Sequence, residues 1–361
     1  MGAIEFIIYT SKINLGIDFT NTFMNMKNRG PNETNYITDN NINVKKGVNL
    51  ALYLNRDEIM KYIDYSVIYG YHRLSINDCS FNGSQPFEDP IMCNILKYPE
   101  LRKRPKRRLL CNGEIYNYNE LVKGINENKN LQSKSDVEVI LGLYLENIDK
   151  NILPLDSIKD VIDKLDGEWT FVLTENIDTF RITETNIFIG RDIFGTRPLY
   201  YVEHKKISPV YMFISEIKGL PRNILDNSNY TIKEFPIGHL WSFKDGFIKY
   251  YDWNKFKELD YCTINNLSGN QIEEVYKNIQ ETIAVSVQSR IFTTNENKDI
   301  GILLSGGFDS SLITALIAKV KTPEMTLHTF SLVRCEKINK SIDNFIESLE
   351  KLSKNEAAFQ K

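Results

Sequence analysis

Apolar residues along this chain follow two rhythms. Up to about residue 250 they gather in short runs: 3–9, 66–71, 169–174, 186–191, 198–202, 210–215 and 239–243. Short apolar runs parted by turn residues predict strands, and so many of them predict stacked antiparallel sheets. Residues 32–46, rich in Asn, Thr and Asp after the Arg29-Gly30-Pro31 turn, read as a loop. One helix interrupts the strands: Val137, Ile140, Leu141, Tyr144, Leu145 and Ile148 recur at helical spacing. Ser135 and Glu138 ahead of that run read as a capping box.

The rhythm changes after Tyr251. A polar, linker-like stretch at 253–268 leads into a second helix at about 270–288, with Ile272, Val275, Ile279, Ile283 and Val287 on one face. Then comes GILLSGGFDSSLITALIAKV, which reads as an apolar strand, a Gly-rich turn and an apolar helix. That order belongs to α/β nucleotide-binding units, not to antiparallel sheets. A chain of 361 residues fits two domains of roughly 150 residues or more. The expected division is 1–255 and 256–361, and no internal repeat is visible.

Composition narrows the function classes. The net charge of −3 argues against a nucleic-acid or membrane-surface protein as a whole. No run of 18 apolar residues exists, so no membrane partner is expected. The start, MGAIEFIIYTSK, lacks the basic and apolar regions of a signal peptide, and Phe6 stands where N-myristoylation wants Ser or Thr. The five cysteines are scattered and never spaced as CxxC, so neither a disulfide framework nor a zinc site is expected, and a reducing cytoplasm fits. The basic run at 102–108 could be a localisation signal or an anion site, but the favoured reading is a solvated insertion loop.

The strongest chemical signal is Ser305-Gly306-Gly307-Phe308-Asp309-Ser310-Ser311. Small residues let the backbone curl so that several N–H groups face one phosphate, and the helix that follows adds its positive end. The serines offer hydroxyls, and Asp309 could hold a Mg²⁺ that neutralises a pyrophosphate. The Walker pattern is missing.

This heptad resembles the pyrophosphate loop of ATP-cleaving ligases that adenylate a substrate. The wider chain resembles class II (Ntn-type) glutamine amidotransferases, and specifically glutamine-dependent asparagine synthetases. The matching words run in family order: Arg29-Gly30-Pro31, His72-Arg73-Leu74-Ser75-Ile76, Gln85-Pro86, Asn112-Gly113-Glu114-Ile115-Tyr116-Asn117, Ser135-Asp136, Gly190-Arg191-Asp192, Ser215-Glu216-Ile217-Lys218, Phe235-Pro236-x-Gly238, the heptad, and His328-Thr329-Phe330. Taken singly, Arg73 reads as well as a surface ion pair, Asp136 as a helix-terminal charge and Asn112-Gly113 as a hairpin turn. Their order along the chain is what makes the resemblance specific.

The resemblance implies an α+β fold: a four-layer αββα Ntn sandwich followed by part of an α/β pyrophosphate-loop domain. It implies glutamine, aspartate and ATP as ligands, with Mg²⁺. Arg73 would pair with the glutamine α-carboxylate and Asp136 with its α-amine. Leu74, Ser75, Ile76, Asn77 and Glu114 would also contact glutamine. Asn112 and Gly113 would form the oxyanion hole. Leu304 and Leu332 would flank the nucleotide base, and Ser305, Gly306, Gly307, Asp309 and Ser310 would serve its phosphates and metal.

Two departures qualify the expected activity. Gly2-Ala3-Ile4 stands where the family has Cys-Gly-Ile, and the family's Cys thiol is the nucleophile. Cys111 is nearest the oxyanion residues, but on a strand its side chain would face away from Asn112. Glutamine would then be held and not hydrolysed. The family's synthetase domain also continues some way beyond the equivalent of Lys361, so a partner polypeptide or a homodimer is an open expectation. The readings are an asparagine-synthetase homologue that amidates aspartate at the expense of ATP, a β-lactam-synthetase-like ligase, and a non-catalytic glutamine- or ATP-binding module.

Overall fold

The structure, a computed structural model, describes residues 2–10, 19–38, 65–89, 106–125, 131–175, 185–206, 211–256, 267–292 and 299–332. They fall into two compact units, 1–271 and 272–361.

The first unit carries twelve described strands in chain order: β1 (Ala3–Thr10), β2 (Glu33–Thr38), β3 (Tyr65–Arg73), β4 (Phe87–Glu88), β5 (Arg107–Ile115), β6 (Gly167–Glu175), β7 (Asn186–Arg191), β8 (Tyr200–His204), β9 (Tyr211–Ile214), β10 (Tyr230–Glu234), β11 (His239–Ser242) and β12 (Gly246–Lys249). They form two six-stranded sheets, ordered β10-β8-β9-β1-β3-β2 and β12-β11-β7-β6-β5-β4. The described pairings within both are antiparallel.

Alternation along each strand sorts side chains into layers. Ile4, Phe6 and Ile8 of β1 meet Leu110, Val172, Ile189 and Trp241 between the sheets. Ala3 and Ile7 face the other way, onto Phe23, Met26, Leu220 and Ile224 from short helical turns. On the far side of the second sheet, Leu109, Cys111, Phe171 and Leu173 pack on two helices, α1 (Val139–Asp149) and α2 (Pro154–Lys164). The result is the expected α+β sandwich of four layers. Strands covered on both faces need apolar residues at every position, which is why they read as continuous runs.

One core position breaks that rule. Glu5 lies between Ala3 and Ile7 on β1, fully buried, and neither of its carboxylate oxygens has a hydrogen-bond partner. Burial pushes its carboxyl well above the ordinary carboxylate range.

Three local expectations are corrected. Residues 33–38 are not loop but the edge strand β2, paired with β3. Its polar residues are there for a reason: Asn35 is buried and its amide donates to Gln85 O at 2.8 Å. Residues 39–46 lie outside the described residues. The basic run is not all solvated loop, because Arg107 and Arg108 open β5. Arg107 is ion-paired with Glu175 at 2.6 Å and Asp89 at 3.2 Å, and Arg108 with Glu88 at 2.9 Å. Residues 102–105 lie outside the described residues. The capping box does not form either: Ser135 caps nothing with its side chain, and a 3-10 turn, Asp136–Glu138, precedes α1. The Glu138 carboxylate instead accepts from Gln132 N and Ser133 N, both at 2.8 Å, and ties down the loop before the helix.

The second unit holds most of α3 (Gly269–Phe292), then β13 (Ile300–Leu303), α4 (Phe308–Val320) and β14 (Leu327–Phe330). β13 and β14 are parallel, as a crossover helix requires. Val287, Ile291, Ile317 and Met325 form their small core. No helix among the described residues is long and apolar enough to cross a membrane.

Candidate functional site

One pocket in the first unit gathers residues far apart in sequence. Gly2, Arg73, Leu74, Ser75, Ile76, Asn77, Asn112, Gly113, Glu114 and Asp136 all line it. Every residue expected at an amide site on this half of the chain is therefore in one place.

The ends of the two sheets build it. Gly2, just before β1, donates its N–H to Asn112 Oδ1 at 3.0 Å, across from the first sheet to the second. Arg29 Nε donates to Gly2 O at 3.1 Å while its Nη1 pairs with Glu216 at 3.1 Å, so both polar groups of Gly2 are held. The Gly2 donor can be met only by oxygen, which fixes the orientation of the Asn112 amide. Its Nδ2 is consequently turned elsewhere, and it is buried with no hydrogen-bond partner. An orphaned buried donor costs about 1–3 kcal/mol, a penalty that a ligand oxygen would remove.

Gly113 supplies a second donor. On one edge of β5, Cys111 N donates to Gln85 Oε1 and Ile115 N to Asp136 Oδ2, both at 2.6 Å. Amides two residues apart on a strand share an edge, so the Gly113 N–H between them points to the same side. No larger residue fits: a Cβ on Gly113 would lie 2.5 Å from Glu168 O and 2.7 Å from Trp169 Cα. Asn112-Gly113 is therefore a mid-strand pair and not a hairpin turn.

The charged groups are equally constrained. Arg73 is buried, not a surface ion pair: its Nη1 lies 3.3 Å from Glu33 and donates to Ser80 O at 2.8 Å, and its Nη2 donates to Asp78 O. It thereby clamps the turn that forms one wall. Asp136 accepts from Asn77 Nδ2 at 2.6 Å as well as from Ile115 N. Burial raises its pKa, and these hydrogen bonds oppose the rise. Glu114 also sits above the ordinary carboxylate range through burial, against the pull of Arg197 at 3.4 Å. Arg197 reaches Glu168 at 3.2 Å, and its Nε is buried without a partner.

Several lining residues were given no site role from sequence, among them Tyr71, Arg197 and Gln85, the last read only as part of a family word. A signal existed for Tyr71, because it lies two positions before Arg73 on β3 and so shares its face. Gln85 and Arg197 carry no periodic signal, since each lies in a bend between regular elements. Cys111 contributes its backbone edge, while its thiol packs in the layer of α1 and α2. Burial holds that thiol well above the ordinary cysteine range.

In the second unit, Leu304, Ser305, Gly306 and Gly307 form the turn after β13, Asp309 and Ser310 open α4, and Leu332 follows β14. Gly306 has φ +82°, a conformation that favours glycine. Ser305 and Ser310 hydroxyls meet at 3.0 Å, and Ser331 Oγ donates to Leu304 O at 2.7 Å, holding the two strand ends together. The turn is exposed, and its hydroxyls and helix-start amides suit a phosphate. No cluster of three or more metal-ligating side chains occurs among the described residues, so a cation at Asp309 would need phosphate oxygens as co-ligands.

This chain resembles known proteins over most of its length. Residues 55–244 match the family model of a glutamine amidotransferase domain, and residues 278–344 match that of asparagine synthase. A probable asparagine synthetase (glutamine-hydrolyzing) of Acanthamoeba polyphaga mimivirus is 26% identical over 337 residues, covering 89% of this chain and 50% of the relative. Asparagine synthetase B of Escherichia coli (strain K12) is 31% identical over 261 residues, covering 72% of this chain and 38% of the relative. A solved glutamine phosphoribosylpyrophosphate amidotransferase from B. subtilis aligns with 94% of this chain and 68% of its own, at 14% identity and a TM-score of 0.48. The chain spans half or less of the length of these two curated relatives. It belongs to the glutamine amidotransferase family, in its asparagine-synthetase type.

Proposed function

We propose that the pocket of residues 1–255 binds glutamine and has lost the power to hydrolyse it, and that residues 256–361 carry the ATP-binding part of a synthetase domain. The observation that carries the first half is the buried, unpartnered Asn112 Nδ2 beside the outward Gly113 N–H. Two converging donors suit a carbonyl oxygen or the oxyanion it becomes. Arg73 would take the α-carboxylate of the ligand and Asp136 its α-ammonium, with Glu114, Asn77 and the 74–76 segment completing the wall. Loss of hydrolysis rests on residue 2 being glycine and on the Cys111 thiol facing the helices.

In the second unit, Leu304 and Leu332 would flank an adenine ring, and Ser305, Gly306, Gly307, Asp309 and Ser310 would receive the phosphates with Mg²⁺. Its chemistry would be adenylation of the aspartate side chain, with pyrophosphate released and ammonia completing asparagine and AMP. The chain spans half or less of the length of these relatives, so this ligation is proposed for the family's whole synthetase domain and not for these 361 residues alone. Gly2 also favours a second reading, a module that binds glutamine and ATP without turnover.

Calorimetry with L-glutamine beside an assay for released glutamate tests the first half. Saturable binding with glutamate release at the buffer blank is the expected result. Release well above the blank would refute the loss of hydrolysis, and absence of binding would refute the pocket assignment. Pyrophosphate release with ATP, Mg²⁺ and aspartate separates the ligase from the binding module.

A further inference from the structure

The space next to Gly2 is already filled. A Cβ on Gly2 would lie 2.7 Å from the His72 carbonyl oxygen, 3.2 Å from Tyr71 Oη and 3.3 Å from a Tyr71 ring carbon. The His72 carbonyl cannot easily yield: Ala3 and His72 are register partners in the β1–β3 ladder. The His72 ring is pinned as well, by Phe23 O and Thr34 Oγ1, each at 2.8 Å. The Tyr71 phenol enters the same volume from the wall that carries Arg73. It is 6% exposed, lines the pocket, and its hydroxyl has no hydrogen bond with the described residues.

The amide end of the pocket therefore presents three uncommitted groups: Asn112 Nδ2, Gly113 N–H and Tyr71 Oη. The first two can only donate, whereas a phenol also accepts. A carboxamide needs that combination, donors for its oxygen and an acceptor for its NH₂. We propose that Tyr71 determines specificity at this site, its hydroxyl occupying the place of the missing side chain and accepting the amide N–H of a bound glutamine. This rests on the glutamine reading of the pocket. It makes the site one that recognises the intact amide in its ground state, with the phenol standing where an attacking group would be.

The test measures the affinity of the full chain for L-glutamine and for L-norvaline, which matches the backbone and side-chain stem but lacks the amide. Both are titrated into the parent protein and into Tyr71→Phe. One lost hydrogen bond predicts glutamine binding weaker by roughly five- to tenfold, with norvaline unchanged within about twofold. Because the ratio is read within one variant, a partly unfolded fraction does not imitate the result. Equal glutamine affinity in parent and Tyr71→Phe overturns the proposal, as does an equal loss of both ligands, which would mark Tyr71 as structural. A parent protein that binds neither ligand overturns the glutamine reading itself, and this inference with it.

Discussion

At the scale of single residues, Asn112 has two separable duties. Its Oδ1 satisfies Gly2 N–H, and its buried, unpartnered Nδ2 is the donor proposed to meet a ligand oxygen. Asn112→Ala removes both, so glutamine affinity should fall at least tenfold by calorimetry, with a loss of about 1–2 kcal/mol in denaturant-measured stability. Unchanged affinity would remove Asn112 from the site. Gly2→Cys should not restore hydrolysis, because its Cβ would collide with the His72 carbonyl oxygen at 2.7 Å. The expected outcome is a lower melting temperature and glutamate release still at the blank; brisk release would show that the strand end can shift. Glu5 gives a prediction in pH. Its folded carboxyl is raised above an unfolded value of about 4.3. Below that value both states are protonated; above it the unfolded chain ionises while the folded one keeps its proton, so stability is lost as pH rises towards the folded pKa. Melting temperatures of the parent should fall more steeply from pH 5 to 8 than those of Glu5→Gln, and parallel slopes would disprove a neutral buried carboxyl.

At the scale of elements, β5 shows what sequence conveys and what it conceals. Its apolar centre, Leu109 to Cys111, is flanked by two arginines on one side and Asn112-Gly113-Glu114 on the other. Period-two reasoning needs apolar alternation, so a strand whose ends are ion-paired and pocket-lining reads as loop or turn. β2 was hidden for the same reason. The helix α2, by contrast, was legible: Pro154 stands at its start, and Ile158, Val161 and Ile162 recur at helical spacing with polar residues between them. The glycine in β5 can be tested directly: Gly113→Ala drives a methyl into the backbone of β6 at 2.5 Å and should cost roughly 1–3 kcal/mol. Gly124→Ala, with open space around it, is the control and should melt like the parent. Equal melting of the two variants would mean that β5 and β6 are less tightly paired than described.

At the scale of the whole molecule, the pocket draws on residues from Gly2 to Arg197, all in the first unit. The family words could be read one by one, and their order predicted a common site. What brings them together, the crossing of the ends of β1, β3 and β5, is a property of two stacked sheets that no local window contains. The Gly-rich loop after β13 was legible from the heptad alone because strand, turn and helix are consecutive there. Residues 1–256 expressed alone should therefore bind glutamine within about threefold of the full chain and gain melting temperature with glutamine. Loss of binding in that piece would show that the second unit contributes to the pocket.

The position of Gly2 carries a practical corollary. Its nitrogen sits on the pocket wall, 3.0 Å from Asn112 Oδ1, so any peptide joined ahead of it starts beside the proposed glutamine site. A purification tag is therefore better placed after residue 361 than upstream when affinity is measured.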